Sequence, residues 1–373
     1  METLAEAEDG IDPMGQGQSL DIPRSWAPAL EAARAGGVLL LLGAVDSGKS
    51  TLAAVLARAA REAGRRVAVV DADVGQSSIG PPACVGLGWV ESPPEALEDL
   101  APAALDFVGV SSPPGRLLDC VASAHSMVRA AREGGAETVI VDTTGLIAGP
   151  IARALKAAKV RTLDPDWLVA VQAEGEVEHL LAPYARRSRP AVLRLARSRR
   201  AKPRSREERA ARRQRAFAHH FAGGKVWAPR WDEAPIENSA WTSGEAIPGH
   251  VLSYCEEALG CEVLYAERLP DGLLAICAGP TDPGGVRALR ESFGGAVRAV
   301  QARDLSNLLV GLLGPGGETL GLGVLETADF RARALSIYTA VSEPERARGL
   351  RLGAMRVARD GTEQGWNEPG ALG

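Results

Sequence analysis

The stretch Gly43-Ala44-Val45-Asp46-Ser47-Gly48-Lys49-Ser50 carries glycine, lysine and a hydroxyl residue at the spacing G-x-x-x-x-G-K-[ST], and Thr51 follows it. These residue types at this spacing suit the phosphates of a nucleotide. Glycines let successive backbone N–H groups curl around phosphate oxygens, Lys49 sets a point charge against the β and γ groups, and the Ser50 hydroxyl is a ligand for Mg²⁺. The loop lies between an apolar run, Val38 to Leu42, and an amphipathic stretch from Lys49 to about Glu62, the strand, loop and helix order that this chemistry requires. Gly43 through Thr51 are therefore the candidate nucleotide-binding residues.

Carboxylates recur where open α/β folds place their ligands, at the carboxyl ends of strands. Val67 to Val70 leads into Asp71-Ala72-Asp73-Val74-Gly75-Gln76, and Val139 to Val141 leads into Asp142-Thr143-Thr144-Gly145. One carboxylate can hold Mg²⁺ while another, within reach of an acceptor hydroxyl, removes its proton during phosphoryl transfer. Asp73 is the candidate for the second role, and Ser50, Asp71 and Asp142 are the candidate metal ligands. Spacing alone does not choose the innermost of the three aspartates. Farther along, Arg206, Arg209 and Arg213 stand at i, i+3 and i+7 and share one helical face, which Phe217 and Phe221 can pack down. An arginine delivered to a γ-phosphate is worth about 10³ to 10⁵ in rate, and Arg209 and Arg213 are the candidates.

Such groups need a scaffold that fixes them. Apolar runs at Leu105 to Val110, Thr138 to Val141, Leu168 to Val171 and Ala191 to Leu195 predict further strands, with helices around Val121 to Glu133 and Ile151 to Ala158 between them. The alternation predicts an α/β fold of the P-loop NTPase type, a parallel sheet with helices on both faces. Beyond the arginines the pattern changes to short runs at Glu262 to Ala266, Leu273 to Cys277 and Leu308 to Leu312 among Gly-rich turns, which predicts a smaller β-rich C-terminal domain. A chain of 373 residues accommodates two such domains, and 46% apolar with 24% charged residues suits a soluble globular protein. The net charge of -5 hides an asymmetry, because Arg186 to Arg215 holds fourteen basic residues against two acidic ones. That is the footprint of a local phosphate-binding surface. The apolar runs are too short to span a bilayer, the acidic start has no signal pattern, and the five cysteines form no Cys-x-x-Cys pair, so a cytoplasmic location is expected.

In combination, Gly43 to Thr51, Asp71 to Gln76 and Asp142 to Gly149 resemble the polynucleotide 5'-hydroxyl kinase family, which includes RNA kinases of pre-mRNA cleavage and ribosomal RNA processing. Asp71-Ala72-Asp73-Val74-Gly75-Gln76 is similar to that family's D-x-D-x-G-Q motif, and Arg209-Ala210-Ala211-Arg212-Arg213 to its R-x-x-x-R lid. Asn307 to Leu312 and Leu320 to Val324 resemble its C-terminal β domain. The resemblance implies an ATP- and Mg²⁺-dependent kinase acting on a nucleic acid 5' end, RNA in preference to DNA. By carry-over, Lys49, Ser50 and Thr51 bind ATP and Mg²⁺, Asp73 activates the hydroxyl, Gln76, Thr143 and Gly145 line the acceptor site, and Arg209 and Arg213 clamp the phosphates. Composition and pattern along the chain predict a disordered tail over 1–20, a P-loop domain over 21–223 that the resemblance makes a kinase domain with its Arg-rich lid around 186–221, and a β-rich domain over 224–373. One departure stands out: the family's clasp reads T-x-G-W, and here Leu146 follows Thr143-Thr144-Gly145. Two other classes share the phosphate loop. A GTPase or ATPase of the metal-insertion or partitioning kind would use water as acceptor, but no Asn-Lys-x-Asp guanine-reading motif is present; a non-catalytic ATP-bound scaffold would not need Asp73 or the lid arginines.

Overall fold

A computed structural model describes residues 22–367. The chain divides into two compact units. The first comprises the described residues up to Gly80 with Val85–Ala104 and Leu117–Arg209, and the second comprises Pro81–Cys84, Leu105–Arg116 and the chain from Ala210 onward.

The first unit is built on a sheet of seven strands: β1 (Gly37–Gly43), β2 (Val67–Ala72), β3 (Cys84–Trp89), β4 (Pro102–Phe107), β5 (Thr138–Thr143), β6 (Trp167–Gln172) and β7 (Ala191–Ala196), in the order β4-β3-β2-β5-β1-β6-β7. Its helices are α1 (Ala27–Ala35), α2 (Lys49–Glu62), α3 (Leu117–Glu133), α4 (Gly149–Leu163) and the short α5 (Glu178–Leu181). Near-continuous apolar sequence in β1 follows from burial on both faces. Leu39 and Leu41 join Leu52 and Leu56 of α2, Val69, Ile140 and Val169 in one core, while the intervening Leu40 and Leu42 are buried as well. Trp26, buried at the start of α1, donates its indole N–H to the carbonyl of Ala196 and ties the N-terminal segment to the last strand of the sheet.

The register matters most at one pair. β2 and β5 run parallel with Asp71 opposite Asp142 and Ala72 opposite Thr143, so the two acidic sequences end side by side. β1 lies on the other flank of β5, also parallel, and delivers Gly43 to the same edge. The expected all-parallel sheet is interrupted at β3, which pairs antiparallel with β2 through a connection too short for a crossover helix. The strand expected at Leu105 to Val110 begins earlier, at Pro102.

The helix α6 (Arg206–Phe221) contains the dividing point of the units, at Arg209 and Ala210. This differs from a boundary near Gly224 because Phe217 and Phe221 are buried with Phe107, Leu309, Met355 and Val357 in a cluster of the second unit. That unit contains two sheets. Strands β8 (Lys225–Trp227), β9 (Ile236–Glu237), β14 (Leu308–Leu313), β15 (Thr319–Asp329), β16 (Ala334–Thr339), β17 (Gly349–Val357) and β18 (Glu363–Trp366) form one; β10 (Glu245–Ala246), β11 (Val263–Leu269), β12 (Gly272–Cys277) and β13 (Ala296–Gln301) form the other. The four-stranded sheet carries α7 (Gly249–Leu259) and α8 (Pro283–Phe293), which the turn-like sequence Pro283-Gly284-Gly285 conceals. Asp282 caps α8 by accepting from the Gly285 amide at 2.7 Å, and a Cβ at Gly285 would lie 1.7 Å from the Ala258 carbonyl oxygen, so glycine is what lets α7 and α8 approach. β18 pairs antiparallel with β17, Trp366 opposite Met355; the expected N-terminal tail and the last six residues lie outside the described ones.

Candidate active site

All the groups described next except Arg213 and its partner Glu363 belong to the first unit. The phosphate loop leaves β1 at Gly43, where a Cβ would stand 2.6 Å from Ser47 Oγ and 2.8 Å from the Val171 carbonyl oxygen, so the loop closes over a position that only glycine fits. Asp46 (φ 56) and Gly48 (φ 91) take the left-handed conformation that turns the chain into α2. No side chain caps α2, so the amides of its first turn, with the positive end of the helix dipole, are available to an anion. Lys49 is buried and donates to the Ala44 carbonyl at 2.8 Å, curled over its own loop. Ser47 Oγ is buried within the loop with no partner.

Ser50 donates its hydroxyl to Asp142 Oδ2 at 2.6 Å, and Asp142 Oδ1 accepts the Thr143 amide at 2.8 Å. Burial raises the Asp142 carboxyl above the usual range, opposed by Lys49 and by the Ser50 hydrogen bond. Serine hydroxyl and carboxylate thus face each other across the mouth of the loop. Among the described residues no group of three or more His, Cys, Asp or Glu could hold a metal ion by itself. A serine, one carboxylate, phosphate oxygens and water are what Mg²⁺ ordinarily uses beside a nucleotide, so the donors present fit that ion and not a cage of protein ligands.

Asp71 is engaged otherwise. Its Oδ2 accepts from the amides of Ser78 and Ile79 and from the Ser77 hydroxyl, and its Oδ1 from the Asp73 amide. The carboxylate holds the turn after β2. Burial and then the neighbouring Asp142 push its pKa up to about 7, against the lowering effect of the Ser78 bond. The sign of the consequence follows from linkage: the folded chain keeps a proton that the unfolded chain releases near pH 4, so Asp71's contribution is full below about pH 4 and is lost as pH rises to about 7. Over that interval the melting midpoint of the wild type should fall relative to that of Asp71→Asn; parallel curves would contradict this.

Asp73, half-buried, accepts the amides of Gly75 and Gln76 at Oδ1, at 3.0 and 3.1 Å, and so shapes the D-x-D-x-G-Q turn around itself. Gln76 donates to the carbonyls of Gly75 at 2.8 Å and Arg209 at 3.3 Å, and joins this turn to the lid. Arg209 in turn reaches Asp46 Oδ2 of the phosphate loop at 3.4 Å. Arg213 differs from its neighbour on the helix: it lies in the second unit, where its guanidinium makes a two-pronged ion pair with Glu363.

Two expected acceptor residues have structural partners. The Thr143 hydroxyl donates to the Leu41 carbonyl at 2.7 Å and accepts from Lys156 at 2.7 Å, whereas the Thr144 hydroxyl next to it is buried with no partner. Gly145 faces the phosphate loop, because a Cβ there would lie 2.5 Å from the N, Cα and Cγ2 of Val45. Gly145→Ala should therefore displace the loop and lower turnover by about 10²-fold; steady-state kinetics and nucleotide binding measure it, and unchanged values would show that the contact is not needed. Leu146, which departs from the tryptophan of the resembled clasp, is half-buried.

Sequence reasoning missed Lys156 and Lys159. Both are buried on α4, with Lys156 also donating to the Thr144 carbonyl at 2.6 Å and Lys159 to the Ala72 carbonyl at 3.4 Å. Burial pulls the Lys156 ammonium well below its ordinary pKa, helped by repulsion from Lys159 and Lys49, and lowers that of Lys159. The signal was present as two lysines at buried positions of a face otherwise made of Ala152, Leu155, Val160 and Leu163.

The chain is similar to several known proteins. Residues 43–223 match the family described as mRNA cleavage and polyadenylation factor CLP1 P-loop. The chain is 32% identical over 329 residues to the polyribonucleotide 5'-hydroxyl-kinase of Methanocaldococcus jannaschii, covering 88% of this chain and 89% of the relative. It is 30% identical to that of Pyrococcus horikoshii, covering 88% of each. A solved complex of wild-type Clp1p with Pcf11p is similar at a TM-score of 0.55 over 88% of this chain and 77% of that one; with 10% identity the likeness is one of fold. Among the described residues no helix is long and apolar enough to cross a membrane.

Proposed function

This chain belongs to the polyribonucleotide 5'-hydroxyl-kinase family of CLP1-type P-loop proteins, and we propose on that premise that it transfers the γ-phosphate of ATP to the 5'-hydroxyl end of RNA. The observation that carries the reading is a division of labour between carboxylates. Asp142 is bound to the loop serine at 2.6 Å, while Asp73 stands at the neighbouring strand end without that tie. A nucleotide hydrolase needs the first of these, and a kinase needs both.

Backbone amides at the start of α2 and Lys49 hold the β and γ phosphates, with Ser47 and Thr144 supplying unpartnered hydroxyls beside them. Ser50 and Asp142 would hold Mg²⁺, which when bound neutralises charge between the β and γ phosphates. Asp73 accepts the proton of the 5'-hydroxyl as that oxygen forms its bond to phosphorus and the bond to the ADP oxygen breaks. Arg209, already resting on Asp46 of the loop, neutralises charge on the equatorial oxygens. Arg213 is engaged by Glu363 within the second unit, so Arg209 is the arginine this reading needs first. The choice of RNA rests on the relatives, which are named for polyribonucleotides.

Incubation with γ-labelled ATP, Mg²⁺ and matched 5'-hydroxyl RNA and DNA oligonucleotides tests the proposal. Label on RNA in preference to DNA is expected; label released only as free phosphate, at a rate independent of oligonucleotide, would replace the kinase with a hydrolase.

A further inference from the structure

Two buried lysines have no role in the chemistry above. Lys156 and Lys159 are 2% and 1% exposed, on a helical face where methionine or leucine would avoid the cost of removing an ammonium from water. Stability does not account for them. Their contacts do point somewhere. The Lys156 ammonium holds Thr143 Oγ1 at 2.7 Å and the Thr144 carbonyl at 2.6 Å, and the same threonine hydroxyl donates to Leu41 of β1. One cation thereby fastens the turn after β5, which carries Asp142 on one side and Gly145 on the other, to the strand that carries the phosphate loop. Lys159 reaches the Ala72 carbonyl, the peptide immediately before Asp73. Lys159 anchors the backbone one residue from Asp73, and Lys156 the Thr143 side chain one residue and the Thr144 backbone two residues from Asp142.

We propose that Lys156 and Lys159 are positioning residues whose side-chain amino groups form a fixed hydrogen-bonding floor beneath the reacting centre, holding Asp73 and the Asp142–Gly145 turn at the separation that transfer requires. The inference rests on the kinase reading and adds to it two residues that touch neither ATP nor RNA. Both side chains are buried, so these donors are held in place from the protein side. Rigid support from behind is what keeps a catalytic group within the few tenths of an ångström that phosphoryl transfer tolerates.

Lys156→Met and Lys159→Met keep the side-chain length and remove the charge. For each variant we would measure kcat and KM with a 5'-hydroxyl RNA, binding of ATP, and thermal melting, beside the wild type in the same assay. A fall in kcat of about 10²-fold is expected, with ATP affinity within about threefold of the wild type and a melting temperature that is unchanged or higher. A kcat within about threefold of the wild type in both variants would overturn the inference, as would a parallel loss of ATP binding and melting temperature, which marks support of the fold alone. Thr143→Val and Thr143→Ser supply an independent arm that leaves both lysines in place. Loss of kcat in the valine variant with recovery in the serine variant is expected, because only serine preserves the hydroxyl that Lys156 holds; equal activity in the two would count against the proposal. A wild type that labels no oligonucleotide would sink the kinase reading itself, a result distinct from active wild type with active variants.

Discussion

Lys49→Ala is expected to lower phosphoryl transfer by about 10³-fold and to weaken ATP binding with it. The ammonium is the cation of the phosphate loop itself; it is buried at the start of α2 and held to the Ala44 carbonyl by a hydrogen bond at 2.8 Å. Released from that carbonyl it has three donors for phosphate oxygens, in a setting where water screens poorly and each contact gains strength as charge spreads during transfer. Alanine preserves the helix, since it is the best helix former, and so removes the charge without unfolding α2. Turnover at saturating RNA and direct measurement of ATP binding check the expectation. Retention of both at wild-type levels would mean that the loop does not hold the reacting phosphates.

Asp73→Asn should act differently, lowering transfer by about 10² to 10⁴-fold while leaving ATP affinity within about threefold of the wild type. Asparagine keeps an oxygen for the amides of Gly75 and Gln76, so the turn retains its hydrogen bonds at 3.0 and 3.1 Å while the side chain loses its ability to take a proton. Single-turnover rates with bound ATP separate the two effects. If ATP affinity fell in step with the rate, Asp73 would belong to the nucleotide's cation and not to the acceptor. The contrast with Asp142→Ala is part of the argument, because that change removes the partner of Ser50 and is expected to weaken the nucleotide complex directly.

The phosphate loop and the strand-end aspartates were legible because each is a local pattern: an apolar run, a glycine turn and a charged residue within a dozen positions. The choice among the aspartates was not, because it depends on register between strands far apart in sequence. Asp71 and Asp142 face each other across β2 and β5, yet one carboxylate accepts from the turn at Ser77 to Ile79 and the other from Ser50. Helical spacing places Arg209 and Arg213 on one helix, but spacing cannot see Glu363, which takes Arg213 from 150 positions away. Lys156 and Lys159 were passed over because the helix was expected to end near Ala158, and a lysine is read as solvated unless its position on the buried face is noticed. Tertiary contacts, not local preference, decide each of these cases.

The most direct test of the central claim offers the wild-type protein γ-labelled ATP and two copies of one RNA oligonucleotide that differ only in the 5' end, hydroxyl or phosphate. The account predicts label on the hydroxyl-ended RNA, removable by a phosphatase, and none on the phosphate-ended copy. Equal labelling of both, or release of free phosphate at the same rate with either RNA or with none, would contradict it.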